Sequence, residues 1–129
     1  MSHANGIMPV LVTQPFVWGD AIDPTTGTAL GAVRETLLDT ETTSLTYWHA
    51  LEIYNDTMRG VARAKRVTLV DLARQMPKDS HLFIDRMHFG NDGALLVGKI
   101  VAQTISPTLA KKFPIHLRAN GSGCGGLPQ

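Results

Sequence analysis

MPVLVT, Met8 to Thr13, and VTLV, Val67 to Val70, are the two stretches on which the fold turns. Each is a short, unbroken apolar run rich in β-branched residues. The first is fenced by Asn5-Gly6 and Gln14-Pro15, the second by Lys65-Arg66 and Asp71. A strand with one wet face alternates apolar and polar residues, whereas one covered on both faces does not. Both runs therefore predict adjacent parallel strands, buried on both faces. Between them, Tyr47, Leu51, Tyr54, Met58 and Val61 recur at spacings of four, three, four and three, the period of an amphipathic helix, with Ser44 placed as its N-cap. Strand, helix and strand in this order make a β-α-β crossover, and the class is α/β. Gly6 is the kind of residue a helix leaves at its C-terminus. With so few residues before it, the chain reads as beginning inside a fold.

Outward from this unit the signals change. Pro15 to Thr43 carries Gly19, Pro24, Gly27 and Gly31 among threonines and acids, which predicts a long loop, functional or mobile, with a brief helix near Ala32 to Leu38. Gln75 to Ser80 is turn chemistry around Pro77, and His81 to Ile84 reads as a short extended stretch. Asn91 or Asp92 is placed to cap a helix whose Leu95, Leu96, Ile100 and Val101 face the sheet. Ser106-Pro107 predicts a break and a restart toward Phe113. Residues 114–129 are Gly- and Pro-rich without periodicity and read as a disordered tail, leaving 1–113 as one domain.

Composition excludes several classes. With 129 residues, 18% charged, and a formal net charge of +1, the chain has no single-sign field to attract nucleic acid or anionic membrane. No apolar run approaches the roughly 18 residues a membrane helix needs, and no signal peptide opens the chain, so the cytoplasm is the default compartment. Cys124 is the single cysteine and stands in the tail, which rules out an intrachain disulfide.

One short segment carries chemistry. In DRMHFGNDG, Asp85 to Gly93, an Asp stands three residues before a His, between an extended stretch and a helix start. That spacing can set a carboxylate against the imidazole Nδ1 while Nε2 points into a cleft. A carboxylate so placed fixes the imidazole tautomer and stabilises the imidazolium, and a neutral imidazole is what activates a serine hydroxyl. The bland alternative is a surface loop closed by an Asx turn. A metal site from Asp85, His88 and Asp92 matches no common ligand spacing. His49 lies off the apolar stripe, and His3, His81 and His116 lack spacing partners. Phe16 and Trp18 either line an acyl or sugar pocket or anchor their loop to the core. Asp71 reads as a helix cap rather than a spare acid.

Several of these features fall in an order that resembles the C-terminal half of the SGNH (GDSL-type) hydrolases. Tyr54-Asn55, Ala62, Val70-Asp71-Leu72, Asp85, His88 and Gly93 stand where that family has its helix Asn, strand end, Asp-x-x-His block and following Gly. MPVLVTQP is similar to the strand before its variable loop. The resemblance covers about residues 5 to 113 and implies a partial three-layer, flavodoxin-like fold with parallel strands and flanking helices. It further implies hydrolysis of a small-molecule ester through an acyl-enzyme, with His88 as general base, Asp85 as its orienting acid, and no cofactor. The family's nucleophilic Ser, in its Gly-Asp-Ser block, and its oxyanion donors have no counterpart here. Trp18-Gly19-Asp20 is followed by Ala21 where the Ser would stand. The resemblance places those groups on an N-terminal half upstream. The expectation is a base and its acid without a nucleophile, inactive alone and open to self-association or to that missing half. The alternative is a truncated, non-enzymatic module that serves as an association surface.

Overall fold

A computed structural model describes residues 6–37 and 40–114. The tail lies outside the described residues beyond Pro114. The architecture is mixed α/β, with a small parallel two-stranded sheet and three helices. Strand β1 spans Val10–Val12 and pairs in parallel with β4, Thr68–Val70, in the register Val10 to Thr68 and Val12 to Val70. The crossover between them is helix α1, Ser44–Lys65. The apolar runs are thus the adjacent parallel strands their composition predicts. Burial on both faces is not found throughout. Val70 is fully covered, but Val10 and Leu11 are half-buried and Val12 is 41% exposed. Among the described residues β1 has a single neighbour, so its second edge and part of its surface stay open.

Phe16, Val17 and Trp18, just past β1, meet Leu72 and Met76, just past β4, together with Leu30, Val70, Phe83 and Ile100. The core therefore collects beyond the C-terminal ends of the strands. Burying each of these large side chains contributes about 1.5–3 kcal/mol relative to exposure. Trp18 sits edge-on to Phe16, ring centroids 5.1 Å apart, so the two aromatics anchor their loop.

The stretch from Pro15 to Thr43 is more ordered than a loop. Arg34–Leu37 (β2) and Thr40–Thr43 (β3) form an antiparallel hairpin in place of the helix expected near Ala32 to Leu38. Threonines, stiff at χ1, suit an extended backbone better than a helix, and Glu35 and Arg34 pair across from Thr42 and Thr43. Helix α1 begins one residue from its expected cap: Thr43 is the cap residue, and the buried Ser44 hydroxyl donates to the Leu30 carbonyl at 2.5 Å.

The buried face of α1 also differs from the apolar stripe. Tyr54 and Val61 are exposed, while Asn55, Arg59 and Ala62 are buried. Two polar groups go inside because each is fully matched. Asn55 accepts from the Gln14 amide at 2.9 Å and donates to the Gln14 carbonyl at 3.0 Å, clasping the end of β1. The Arg59 fork meets both Asp71 oxygens, at 2.9 and 2.8 Å, and also reaches Glu52 and Asp56. Asp71 in turn accepts from the Thr13 hydroxyl at 2.8 Å, and that oxygen accepts from the Ala73 amide at 3.0 Å. Asp71 does stand at the cap position of α2, Leu72–Gln75, but its side chain makes no cap bond there. The network ties α1 to the C-terminal ends of both strands.

Arg59, followed by Thr13, holds the Asp71 carboxyl below its ordinary range. A depressed folded pKa gives stability that is present above the unfolded value and lost as pH falls through the folded one. Asp71→Asn should accordingly flatten the fall in stability between about pH 5 and pH 2. Parallel urea melts of the two forms across that range check it; identical slopes would rule out the linkage.

His81 to Ile84 is not extended: Ser80–Leu82 is a 3-10 turn capped by Asp79, whose carboxylate accepts from the His81 amide at 2.9 Å. Helix α3 spans Asn91–Lys112 with Gly90 as its cap residue, in place of Asn91 or Asp92. Ile100 is in the core and Leu96, Val97 and Val101 pack against it, whereas Leu95 is exposed. The expected break at Pro107 is absent and the helix runs through it. The proline removes one N–H, and nearby the Ser106 and Thr104 hydroxyls donate to Ala102 and Ile100 carbonyls one turn back, at 2.5 and 2.9 Å. By length and composition alone, with a mean hydropathy of 1.2, α3 would be long and apolar enough to cross a membrane. Its apolar content is spread among Gly, Ala, Ser and Thr, which is why no continuous run stands out in the sequence. Here one side of it packs on β4 and the 3-10 turn.

That packing depends on Gly93. A Cβ there would collide with the Leu82 carbonyl oxygen, an impossible approach. Gly93→Ala should cost about 3 kcal/mol, toward the upper end of overpacking effects, readable as a fall in the urea midpoint. A change below about 0.5 kcal/mol, the range of an ordinary surface site, would contradict the close approach.

Candidate active site

Asp85 and His88 occupy a tight loop whose two feet rest in the core. Phe83 and Phe89 bridge in antiparallel fashion, with rings 5.4 Å apart, and the Ile84 amide donates to the His88 carbonyl at 2.8 Å. At the tip, Asp85 Oδ1 accepts from the amides of Met87 and His88, both at 2.8 Å. This is the Asx turn of the bland reading, and it is also what aims the second oxygen. Asp85 Oδ2 lies 2.7 Å from His88 Nδ1.

The backbone amides of His88 and Met87, then the imidazole, hold the Asp85 carboxyl well below the usual carboxylate range. An ionised carboxylate has no proton to give, so at neutral imidazole the Nδ1 proton is the donor and Nε2 keeps its lone pair. His88 is 78% exposed and Asp85 51%. Among the described residues, Nε2 has no hydrogen-bond partner. The pair is an oriented base facing open space.

The loop is fixed to the C-terminal side of the sheet. The Val17 amide, five residues past β1, donates to the Arg86 carbonyl at 3.1 Å. The Arg86 guanidinium lies 5.6 Å from the Trp18 ring centroid and 3.4 Å from Glu35 on the hairpin. A cleft of about 280 Å³ opens beside Asp85, lined by Val17, Trp18, Leu30, Phe83 and Ile84 together with Ser80, Asp85 and Arg86. Trp18 thus serves both as anchor and as cleft wall.

No serine in the described residues is set as a nucleophile for His88. Ser80 engages Asp23, Ser44 the Leu30 carbonyl and Ser106 the Ala102 carbonyl; Ser2 and Ser122 lie outside the described residues. Asp92 is turned toward His81, Oδ2 to Nε2 2.9 Å, which gives His81 the partner that spacing did not show. His49 is exposed, its ring 5.0 Å from Trp48. His3, His116 and Cys124 lie outside the described residues.

Two groups, one buried and one half-buried, escaped the sequence reading. Asp23 is almost fully buried and accepts from Ser80, Thr26 and Thr25, which keep its carboxyl far below its ordinary range and tie the first loop to the turn before the site. Lys78 donates to the Phe16 and Trp18 carbonyls at 2.5 and 2.8 Å, and desolvation lowers its pKa to about 8. Asp23-Pro24 followed by Thr25 and Thr26 is a local turn signal that could have been found. Lys78 gave no signal, because its partners are main-chain oxygens about sixty residues away.

Comparison with family models, with curated proteins and with solved structures returns no match to this chain.

Proposed function

We propose that the chain is the C-terminal portion of an SGNH-type ester hydrolase and supplies the base and its orienting acid to an active site completed by another polypeptide segment. The observation that carries this reading is the 2.7 Å contact between Asp85 Oδ2 and His88 Nδ1, with Nε2 free of a hydrogen-bond partner among the described residues and Asp85 lining a cleft of mixed polar and apolar character. Further support comes from the parallel β1-α1-β4 unit, from a site loop beyond the C-terminal strand ends, where α/β proteins hold ligands, and from the space that only glycine fills at Gly93. The implied parent fold is three-layered and flavodoxin-like, of which this chain would supply two strands and the flanking helices.

In the assembled site, His88 Nε2 takes the proton of the serine hydroxyl as its oxygen attacks the ester carbonyl carbon. Asp85 stabilises the imidazolium so formed. As the tetrahedral intermediate collapses, the ester C–O bond breaks and the imidazolium proton passes to the departing alkoxide, leaving an acyl-enzyme and a free alcohol. Water then attacks the acyl carbon while His88 again takes a proton and returns it to the serine oxygen. The products are a carboxylic acid and the regenerated hydroxyl. The wall of Val17, Trp18, Leu30 and Phe83 fits an apolar acyl or alcohol group.

The test is hydrolysis of a short-chain aryl ester by the chain alone and after addition of a separately expressed polypeptide bearing a Gly-Asp-Ser block. Background alone and a clear rate on mixing support the proposal. Association without any rate would favour a non-enzymatic association module.

A further inference from the structure

We propose that Lys78 is a positioning residue of the Asp85 and His88 pair, acting on it through a continuous chain of hydrogen bonds that crosses main-chain peptide groups of the first loop and of the site loop. Naming that pair a base and its orienting acid rests on the function proposed above; the chain of bonds does not.

Every link is an observed bond, and all run the same way. The Lys78 ammonium donates to the Phe16 carbonyl at 2.5 Å. That carbonyl shares its planar peptide group with the Val17 amide, which donates to the Arg86 carbonyl at 3.1 Å. The Arg86 carbonyl in turn shares its peptide group with the Met87 amide, and Met87 donates to Asp85 Oδ1 at 2.8 Å. Asp85 Oδ2 lies 2.7 Å from His88 Nδ1. A cation thus stands at the head of the chain and a carboxylate at its foot, and the peptide groups between them turn their N–H toward the carboxylate. A peptide whose oxygen accepts from a cation is a better donor at its nitrogen, and links aligned head to tail strengthen one another. No proton travels along such a chain; it transmits orientation and polarisation.

The lysine is fixed at its end. It donates a second bond to the Trp18 carbonyl at 2.8 Å and lies 5.5 Å from the Trp48 ring centroid. A Cβ on Gly19 would come within 3.0 Å of Lys78 Cε, so glycine there leaves the side chain room to cross the loop. A lysine that only satisfied carbonyls of the first loop would end its influence at them. Here one of those carbonyls leads to Arg86, between Asp85 and His88, and Arg86 is gripped twice, by its carbonyl on Val17 and by its guanidinium over the Trp18 ring. Desolvation brings the Lys78 pKa down to about 8, against Glu52 of α1, which favours the charged form. Phe16 to Gly19 carries no charge, and Asp79, next in the chain, is engaged by Thr25 and the His81 amide. Loss of the proton leaves a neutral amine, a weaker donor, at the head of the chain.

The experiment follows the ¹³C signals of the Phe16, Trp18 and Arg86 carbonyls, the Asp85 carboxylate and Lys78 Cε in the chain as it is, with pH raised through the Lys78 midpoint. A step centred near pH 8 should appear at Phe16 and Trp18 and, smaller, at Arg86 and Asp85; the ring carbons of His88 report its own titration separately. Lys78→Met, which keeps an apolar stem and removes the donor, should abolish the step. In the enzyme complemented with a Gly-Asp-Ser-bearing polypeptide it should lower kcat by about tenfold, the size of one charge-assisted hydrogen bond, with KM and the circular dichroism unchanged. A step confined to Phe16 and Trp18 overturns the inference, since a purely local lysine moves only its own acceptors, and this result needs no variant to fold. Coupled steps with an unchanged kcat in Lys78→Met overturn the positioning role and leave the hydrolase reading standing. Coupled steps in a chain that gains no rate on mixing remove the hydrolase reading and leave Lys78 as the residue that orients Asp85 and His88.

Discussion

Replacing His88 by alanine in the complemented enzyme should lower turnover on a short-chain aryl ester by about 10⁶-fold. The size follows from the way a nucleophile and its base act as one unit: without a proton acceptor the serine hydroxyl is no better than water, and what remains is binding and oxyanion stabilisation. Stability should barely change, because the side chain is 78% exposed and its one bond is to the half-exposed Asp85. Unfolding curves within about 0.5 kcal/mol of each other would therefore accompany the collapse in rate. A variant that kept a tenth of the activity would remove His88 from the mechanism.

Asp85→Asn should cost about 10⁴-fold in turnover, and here the geometry gives the reason. One carboxylate oxygen accepts from the Met87 and His88 amides, and the other accepts from His88 Nδ1. The asparagine carbonyl can take over the two amides, so the loop survives. Its amino group then faces Nδ1 and can only donate. Nδ1 is forced to accept, the proton moves to Nε2, and the nitrogen that should take the serine proton is already occupied. The wild-type carboxylate is held ionised far below the ordinary range, so protonation of Asp85 should not limit the rate above about pH 4, near the unperturbed value for an aspartate. A near-normal rate for the variant would exclude the assigned role.

What could be read from the sequence was local. Strands β1 and β4 were legible because an uninterrupted β-branched run has one economical structure, and Asp85 with His88 because three residues of spacing suffice to bring them together. The same locality explains the errors. Helix α1 was legible as a helix, but its buried side was not, since Asn55 and Arg59 count as polar in any periodic pattern. They are buried only because Gln14 and Asp71, remote in sequence, satisfy them. The hairpin at Arg34–Leu37 and Thr40–Thr43 was lost among threonines and acids that also make loops. Pro107 promised a break that α3 does not make. Burial on both faces of β1 was expected from composition, and Val12 is exposed instead.

The ring protonation of His88 tests the central claim most directly, because it can be read on the chain by itself. Long-range ¹⁵N–¹H correlation spectra, with the imidazole neutral, should show the proton on Nδ1 and an unprotonated Nε2, with the pattern inverted or averaged in Asp85→Asn. A neutral ring carrying its proton on Nε2 in the wild-type chain would contradict the account, since a histidine in that tautomer cannot take a proton from a serine.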